Sequence, residues 1–301
     1  MEPWVVIAVA AAAFQTLRFM LQKQLSMGRL STGGATFSRF FYSTPFITTL
    51  AVGYAMATGR ETPALSGLFW AYAAAGGLAQ ILATWCVVAL FQQRNFAVGI
   101  TFKKTEVLLT AIVGLIVLGD AISTSGFLAI FLGLIGVLVL SQKPGDVEGS
   151  FLARLFNRGA GLGLLSGVFF AVSAVGYRGA TLEIGGDDPL FRSSITLMLV
   201  TIGQTAGMAL WLNWREPGEI ARVIAARSTA VWMGVTGMAG SLCWFTAFTL
   251  QNAAYVFAVG QVEVIFSLLA SALFFREASA RKELLGITLI CASIVYLVVA
   301  A

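Results

Sequence analysis

Lys103, Lys104 and Glu106 fall within four positions of one another in a stretch whose flanks, from Phe96 on one side to Leu118 on the other, are almost wholly apolar. Ammonium and carboxylate groups in such a setting can bind a charged solute, exchange a proton or neutralise each other. From Ala97 the run is about 22 residues long, which at 1.5 Å per residue matches the roughly 30 Å hydrocarbon core of a bilayer and puts Glu106 near its midplane. An ionisable group at that depth costs about 3 kcal/mol on insertion scales and is kept for a pathway, a binding site or a buried ion pair. Glu263 holds the matching place in a later apolar run, with Gln261 standing where the first run has Lys104. Lys103 and Glu106 are i,i+3 neighbours that can pair on one helix face, whereas Lys104 and Glu106, two apart, cannot. Lys104 is thereby left as the freer cation. Glu263 must find its partner on another helix, in a proton or in a ligand.

The elements that carry these groups follow from composition. The chain of 301 residues is 58% hydrophobic and 11% charged, with a mean hydropathy of +0.87. That lies outside the range of soluble globular proteins and predicts an all-α, polytopic membrane protein. The basic residues are scattered through short loops and form no run, so they read as topology signals and no nucleic-acid partner is expected. There is no histidine, which removes Ser/His/Asp and Cys/His nucleophilic sites, HExxH metal sites and imidazole proton relays. Cys86, Cys243 and Cys291 lie in apolar stretches without CxxC spacing and predict neither a disulfide framework nor a zinc site. Neither a cofactor nor a catalytic residue is expected. The start, Met1-Glu2-Pro3-Trp4, lacks the basic region and cleavage site of a signal peptide and reads as the opening of the first span.

Hydropathy predicts about ten spans, near 4–25, 34–57, 66–91, 97–118, 123–141, 160–181, 190–212, 229–250, 254–275 and 284–300. The longest break, Gln142 to Ser150, divides the chain into residues 1–145, a linker over 146–158 and residues 159–301. Within the linker Phe151, Leu152, Leu155 and Phe156 alternate with Arg154 and Arg158 as in a short interfacial helix, and Ile220, Val223, Ile224, Arg222 and Arg227 suggest another. Sliding the sequence by 157 residues places Gly77 on Gly234, Cys86 on Cys243, Phe91 on Phe248, Asn95 on Asn252, Glu106 on Glu263 and Asp120 on Glu277. This argues for a five-helix duplication. An odd number of spans per half forces the second to insert upside down, giving two inverted repeats. Loops after the odd-numbered spans carry Lys23, Arg29, Arg94, Lys143, Arg154, Arg158, Arg215, Arg222, Arg227, Arg276, Arg281 and Lys282, against Arg60 and Arg178 on the other side. The positive-inside rule then puts both termini outside the cytoplasm, in an inner (plasma) membrane.

Other polar residues sharpen the expected cavity. Gln15, Arg18 and Gln22 make one polar stripe on the first span, at i, i+3 and i+7. Arg18 suits Glu106, Glu263 or a substrate carboxylate or phosphate, since its fork binds such groups bidentately. Ser173 and Tyr177 form a comparable stripe on the sixth span. Arg39 and Arg192, a few residues into their spans, are expected to snorkel to the interface. Gln80, Gln204, Trp85 and Trp244 are weaker signals, with Trp85 and Trp244 kept as candidate lining. Asn95 and Asn252 read as helix caps. Gly163, Gly167 and Ala171, like Ala129 and Gly133, read as helix-packing rows.

Two halves of five spans, each with an acid closing the fourth (Leu118-Gly119-Asp120 and Phe275-Arg276-Glu277) before a glycine-bearing fifth (Gly126, Gly133 and Gly136; Gly286), resemble the drug/metabolite transporter superfamily, in its EamA-type ten-helix branch. That resemblance implies alternating access to a central cavity, with spans one to four and six to nine around it and five and ten as outer supports. The chain departs from the family where its members often carry a proline inside spans four and nine, having Lys104-Thr105-Glu106 and Gln261-Val262-Glu263 there. Its Lys-Thr pair is similar to one that sugar-phosphate translocators carry in their other half.

The expected function is therefore secondary transport or exchange of a small organic zwitterion or anion, such as an amino acid. The candidate substrate-binding residues are Lys104, Glu106, Glu263, Arg18, Gln15, Gln22, Gln261, Lys103, Tyr177, Trp85 and Trp244, with protons as candidate coupling ion. The partners are the solute and the lipid bilayer, in a monomer or homodimer. Export of cationic or amphipathic drugs and a non-transporting receptor or scaffold are the alternatives. The former should show unpaired acids in an aromatic cage, and the latter would leave the midplane charges without purpose.

Overall fold

A computed structural model describes residues 2–28, 30–91, 103–140, 158–266 and 281–300, and those residues form helices and connecting turns without a strand. In chain order the helices are α1 (Pro3–Gly28), α2 (Thr32–Ala57), α3 (Gly67–Phe91), α4 (Glu106–Leu118), α5 (Thr124–Leu140), α6 (Arg158–Glu183), α7 (Pro189–Arg215), α8 (Glu219–Ala225), α9 (Arg227–Leu250), α10 (Ala253–Val259) and α11 (Arg281–Ala300). Long runs without water leave a backbone no partner but its own carbonyls four residues back, which is why apolar sequence of this length becomes helix in a membrane. Five of these helices, α1, α3, α6, α7 and α9, are long and apolar enough to cross a bilayer by themselves. The remaining expected spans coincide with α2, α4, α5, α10 with the residues that follow it, and α11. The start of span four, the end of span nine, the linker helix and Asn95 lie outside the described residues. The short helix expected near Ile220 is α8, although Val223 packs fully buried inside the protein, against α2 and α7.

The helices pair across the two halves. The broadest contact joins α3 to α6; α1 lies on α9, α5 on α11, α2 on α7, and α4 on both α6 and α10. Exchanging each span with its counterpart in the other half turns the α3–α6 contact into the α1–α9 contact and leaves the α2–α7 and α5–α11 contacts in place. Small residues make the close approaches possible, because backbones can touch only where no side chain intervenes. Gly176 sits so near α3 that an added Cβ would lie 2.9 Å from the Gly76 Cα and 3.0 Å from the Tyr72 carbonyl oxygen. Gly136 meets the Gly286 carbonyl and the Ile290 nitrogen of α11 at 3.0 Å in the same sense, and Gly167 meets the Lys103 carbonyl at 3.1 Å. The expected packing rows are thus occupied: Ala129 is buried and its carbonyl accepts from Ser293 Oγ at 2.7 Å.

Helix ends are closed by side chains. Asn252 caps α10, its Oδ1 accepting from the Ala254 N–H at 2.9 Å. Ser31 caps α2, and against that N-terminus docks Glu219, wholly buried, whose Oε1 accepts from the Ser31 N–H at 2.6 Å. Gly34 makes room for it, because a Cβ there would collide with the Glu219 carboxylate. Asp188 caps α7, its Oδ1 accepting from the Leu190 and Phe191 N–H groups at 2.9 and 3.1 Å, while Oδ2 accepts from Tyr54 at 2.8 Å and pairs with Arg60 at 3.2 Å. Partial burial pushes this carboxyl up, but the Tyr54 hydroxyl, the two N–H groups and Arg60 outweigh it and hold it below its ordinary value. With the folded-state value depressed, its stabilisation is complete above the unfolded value near 4 and is lost as pH falls through the folded one. Asp188→Ala is expected to cost about 1 kcal/mol at neutral pH and nothing at the acid end. Thermal unfolding of both proteins across that pH range checks it, and equal differences at every pH would refute the assignment.

Candidate functional site

The charged stretch is brought together with its later counterpart. α4 begins at Glu106, with Lys104 and Thr105 in the turn before it. A turn at Gly260 and Gln261 likewise separates α10 from the helical residues 262–266. Each acid therefore opens a helical piece, where exposed backbone N–H groups favour negative charge. Gly260 is needed at its turn, because a Cβ would lie 2.5 Å from the Trp244 ring.

Lys104 is not free. Its Nζ donates to Glu263 Oε2 at 2.8 Å, with the two side chains 3% and 9% exposed, so a partner of Glu263 comes from the turn before α4. Lys103 pairs with Glu106 at 3.0 Å, as their spacing predicted, and its ammonium also lies 4.9 Å from the centre of the Phe170 ring. Two cations and two acids thus form a balanced, buried cluster. Gln15 extends it: Nε2 donates to Glu263 Oε2 at 3.0 Å, and Oε1 accepts from the Trp244 indole N–H at 3.1 Å. Gln15, Glu263, Lys104 and Trp244 form one hydrogen-bonded chain running from α1 through the α10 segment and the turn before α4 to α9.

The rest of the first-span stripe does something else. Arg18 donates to Gln22 Oε1 at 2.9 Å, and Gln22 Nε2 donates to the Ala35 carbonyl at 3.2 Å. Arg18 pairs with neither Glu106 nor Glu263, and its second terminal nitrogen, buried, has no hydrogen-bond partner. Gln261 is buried, and its Oε1 is likewise unpartnered. Trp85 stands apart, edge-on to Trp211 at 5.0 Å in a separate apolar cluster beneath α2 and α7.

Arg39 departs most from expectation. It does not reach out to the interface; it is 5% exposed and points inward, donating to Thr84 Oγ1 at 2.9 Å and Ser241 Oγ at 3.1 Å. There it helps line a cavity of about 30 Å³ with Gln15, Gln80, Tyr177, Trp244 and Phe257, room for a water molecule or two and no more. Tyr177 closes one wall, donating to Gln80 Oε1 at 2.8 Å, while Gln204 Nε2 donates to the same oxygen at 3.0 Å and to the Gly77 carbonyl at 2.9 Å. Trp244, Phe248 and Phe257 form the facing wall, with ring centres 5.3 to 5.8 Å apart in each pair. Arg39, Gln80, Thr84 and Ser241 went unread as a group, and the only signal for them was polarity inside apolar spans.

One end of the helical assembly is latched. Arg178, near the C-terminal end of α6, donates through Nε and a terminal nitrogen to both oxygens of Asp120 at 2.6 and 3.2 Å, and its other terminal nitrogen donates to the Phe248 and Gln251 carbonyls at 2.6 and 2.9 Å. Ser66 donates to Glu183 at 2.7 Å nearby in the chain. Arg192 donates to the Thr181 carbonyl at 2.8 Å, completing the end of α6.

A bundle of long apolar helices with buried, balanced ion pairs beside a small, partly polar chamber defines a class, the multi-pass membrane protein. Residues 157–299 match the EamA-like transporter family, which bears out the resemblance read from the sequence. No curated protein matches the chain in sequence. Among solved structures, one crystal structure is similar with a TM-score of 0.69 over 97% of this chain and 99% of that one, at 15% identity, a likeness that concerns the fold alone.

Proposed function

We propose that the chain is a secondary transporter or exchanger of small organic anions or zwitterions, working by alternating access to the chamber between two inverted five-helix halves, residues 1–145 and 159–301. The observation that carries this reading is the Lys104–Glu263 pair at 2.8 Å. It ties span four to span nine across the halves, and it lies one hydrogen bond, through Gln15, from the chamber wall. The cross-half helix pairing supports the duplication, and discontinuous segments at matching places are where transporters of inverted construction bind their solutes. With both termini outside, Arg178, Asp120 and Gln251 fall on the non-cytoplasmic side, and their latch closes the chamber there. All four charges of the central cluster are paired, which leaves no bare acid for a cationic drug.

Glu263 is the proposed coupling group. It exchanges Lys104 for a proton as the halves rock. Glu263→Gln keeps the shape and removes the charge, and is expected to abolish pH-driven uptake in proteoliposomes while leaving counterflow of solute measurable. Unchanged pH-driven uptake in that variant would sink the proton-carrier role.

A further inference from the structure

We infer that Arg39 in the chamber wall, with Arg18 beside it, recognises an anion, and that the solute is an organic monoanion: when the chamber widens beyond the roughly 30 Å³ of this state, these guanidinium groups hold a carboxylate whose apolar body lies against Trp244, Phe248 and Phe257. The inference rests on the transporter reading above and deepens it. Both arginines lie on the same face of α9, since a Cβ at Gly237 would meet Arg18 Cδ at 3.2 Å and Arg39 Cγ at 3.5 Å. They are 2% and 5% exposed. Neither is within ion-pair distance of any carboxylate among the described residues, for the ion pairs are those of Arg60, Lys103, Lys104, Arg178 and Arg222. Glu263, the acid whose field reaches Arg18, is already bound by Lys104 and Gln15.

Hydroxyls, an amide and two ring faces, Phe19 at 4.2 Å from the Arg18 guanidinium and Phe40 at 5.2 Å from that of Arg39, answer these two charges, and no carboxylate among the described residues does. Arg39 has Thr84 and Ser241, each a neutral acceptor, and Arg18 has Gln22, with one buried nitrogen left over. A guanidinium carries five donors, so most of this capacity is unused. Two buried like charges without an acid are costly unless an anion joins them, and a carboxylate fits the fork of an arginine through two parallel hydrogen bonds. Lys104, by contrast, is satisfied. The acids being paired as well, nothing charged in the chamber is free to receive an ammonium. That selects a monoanion over a zwitterion. The three rings opposite supply apolar area for a solute body, and their edges and faces stack on planar groups.

The site is tested on the purified full-length protein with three probes of one shape, 3-phenylpropionate, its neutral amide and phenethylamine, with phenylalanine as the zwitterion, at fixed ionic strength. Thermal unfolding followed by tryptophan fluorescence should rise with the carboxylate alone. Arg39→Gln should abolish the rise while unfolding no earlier than the wild type without ligand, because it removes an uncompensated charge. Arg39→Lys, which keeps charge and loses the fork, should weaken the carboxylate about ten- to a hundredfold. Undiminished stabilisation of Arg39→Gln by the carboxylate, or collapse of ligand-free Arg39→Gln, overturns the site; stronger stabilisation by phenylalanine than by the carboxylate overturns the monoanion. Counterflow of the labelled carboxylate separates the two readings. Arg39-dependent binding without counterflow refutes the transporter and leaves the site standing, whereas counterflow of the amide that survives Arg39→Gln refutes the site and leaves the transporter.

Discussion

Lys104→Met is expected to destabilise the protein by about 3–5 kcal/mol and to abolish pH-driven transport, because it takes the paired ammonium away from Glu263, a buried carboxylate. Glu263 is 7% exposed, and without Lys104 its charge is supported by the Gln15 amide and by Lys103 at longer range. The carboxyl escapes by taking a proton, which removes the charge it needs for coupling. Lys104→Met combined with Glu263→Gln should recover most of the lost stability, since both ends of the pair are then neutral, while pH-driven transport stays absent. Thermal unfolding in detergent and pH-driven uptake in proteoliposomes read the two effects separately. If Lys104→Met transports normally and Glu106→Gln does not, the operative pair is Lys103–Glu106 and the central role assigned to Lys104 is wrong.

The second large effect lies in packing. Gly176→Val places a branched side chain where even a Cβ would be 2.9 Å from the Gly76 Cα and 3.0 Å from the Tyr72 carbonyl. Both obstacles are backbone, so no side chain can turn aside; α3 and α6 must separate along their whole contact. A cost of about 3 kcal/mol is expected, the upper part of the range for overpacked cores. The chamber should suffer with it, because Tyr177 sits on the next residue of α6 and reaches across to Gln80 of α3. Gly203→Ala on α7 is the control. Nothing lies within 4 Å of its Cβ, and the gain in helix propensity makes the change neutral or slightly stabilising. Unfolding temperatures of the two variants that fall equally would show that close approach at Gly176 does not organise the fold.

Much of this architecture is legible in the chain because a bilayer imposes so strict a rule. A slab of fixed thickness and a fixed rise per residue turn each apolar run into a helix of known length, and α1, α3, α6, α7 and α9 appear close to where hydropathy put them. Local pairing is legible too. Lys103 and Glu106 share a helix face by spacing alone, and Asn252 caps α10 as its type and position implied. The matching places of Glu106 and Glu263 could be read from an offset in the sequence. The sequence also supplied the inventory of charges that apolar surroundings would have to accommodate.

Which charge meets which was decided only by tertiary structure. Lys104 and Glu263 lie 159 positions apart, and their contact depends on how α4 and the α10 segment are rotated about their axes, which periodicity does not set. Arg39 shows the same limit. A position a few residues into a span is compatible with snorkelling outward or facing inward, and hydropathy gives depth without azimuth; packing of α2 against α9 turns the guanidinium onto Ser241. Arg178 and Asp120 were visible as a loop charge and a closing acid, yet their pairing needs α6 laid beside the end of α4. The sequence by itself determined that this is a helical membrane protein with charges held in lipid-like surroundings, because length and polarity are one-dimensional. The tertiary structure decided that Lys104 is a paired residue and Arg39 an unpaired one, because helix rotation fixes the partners.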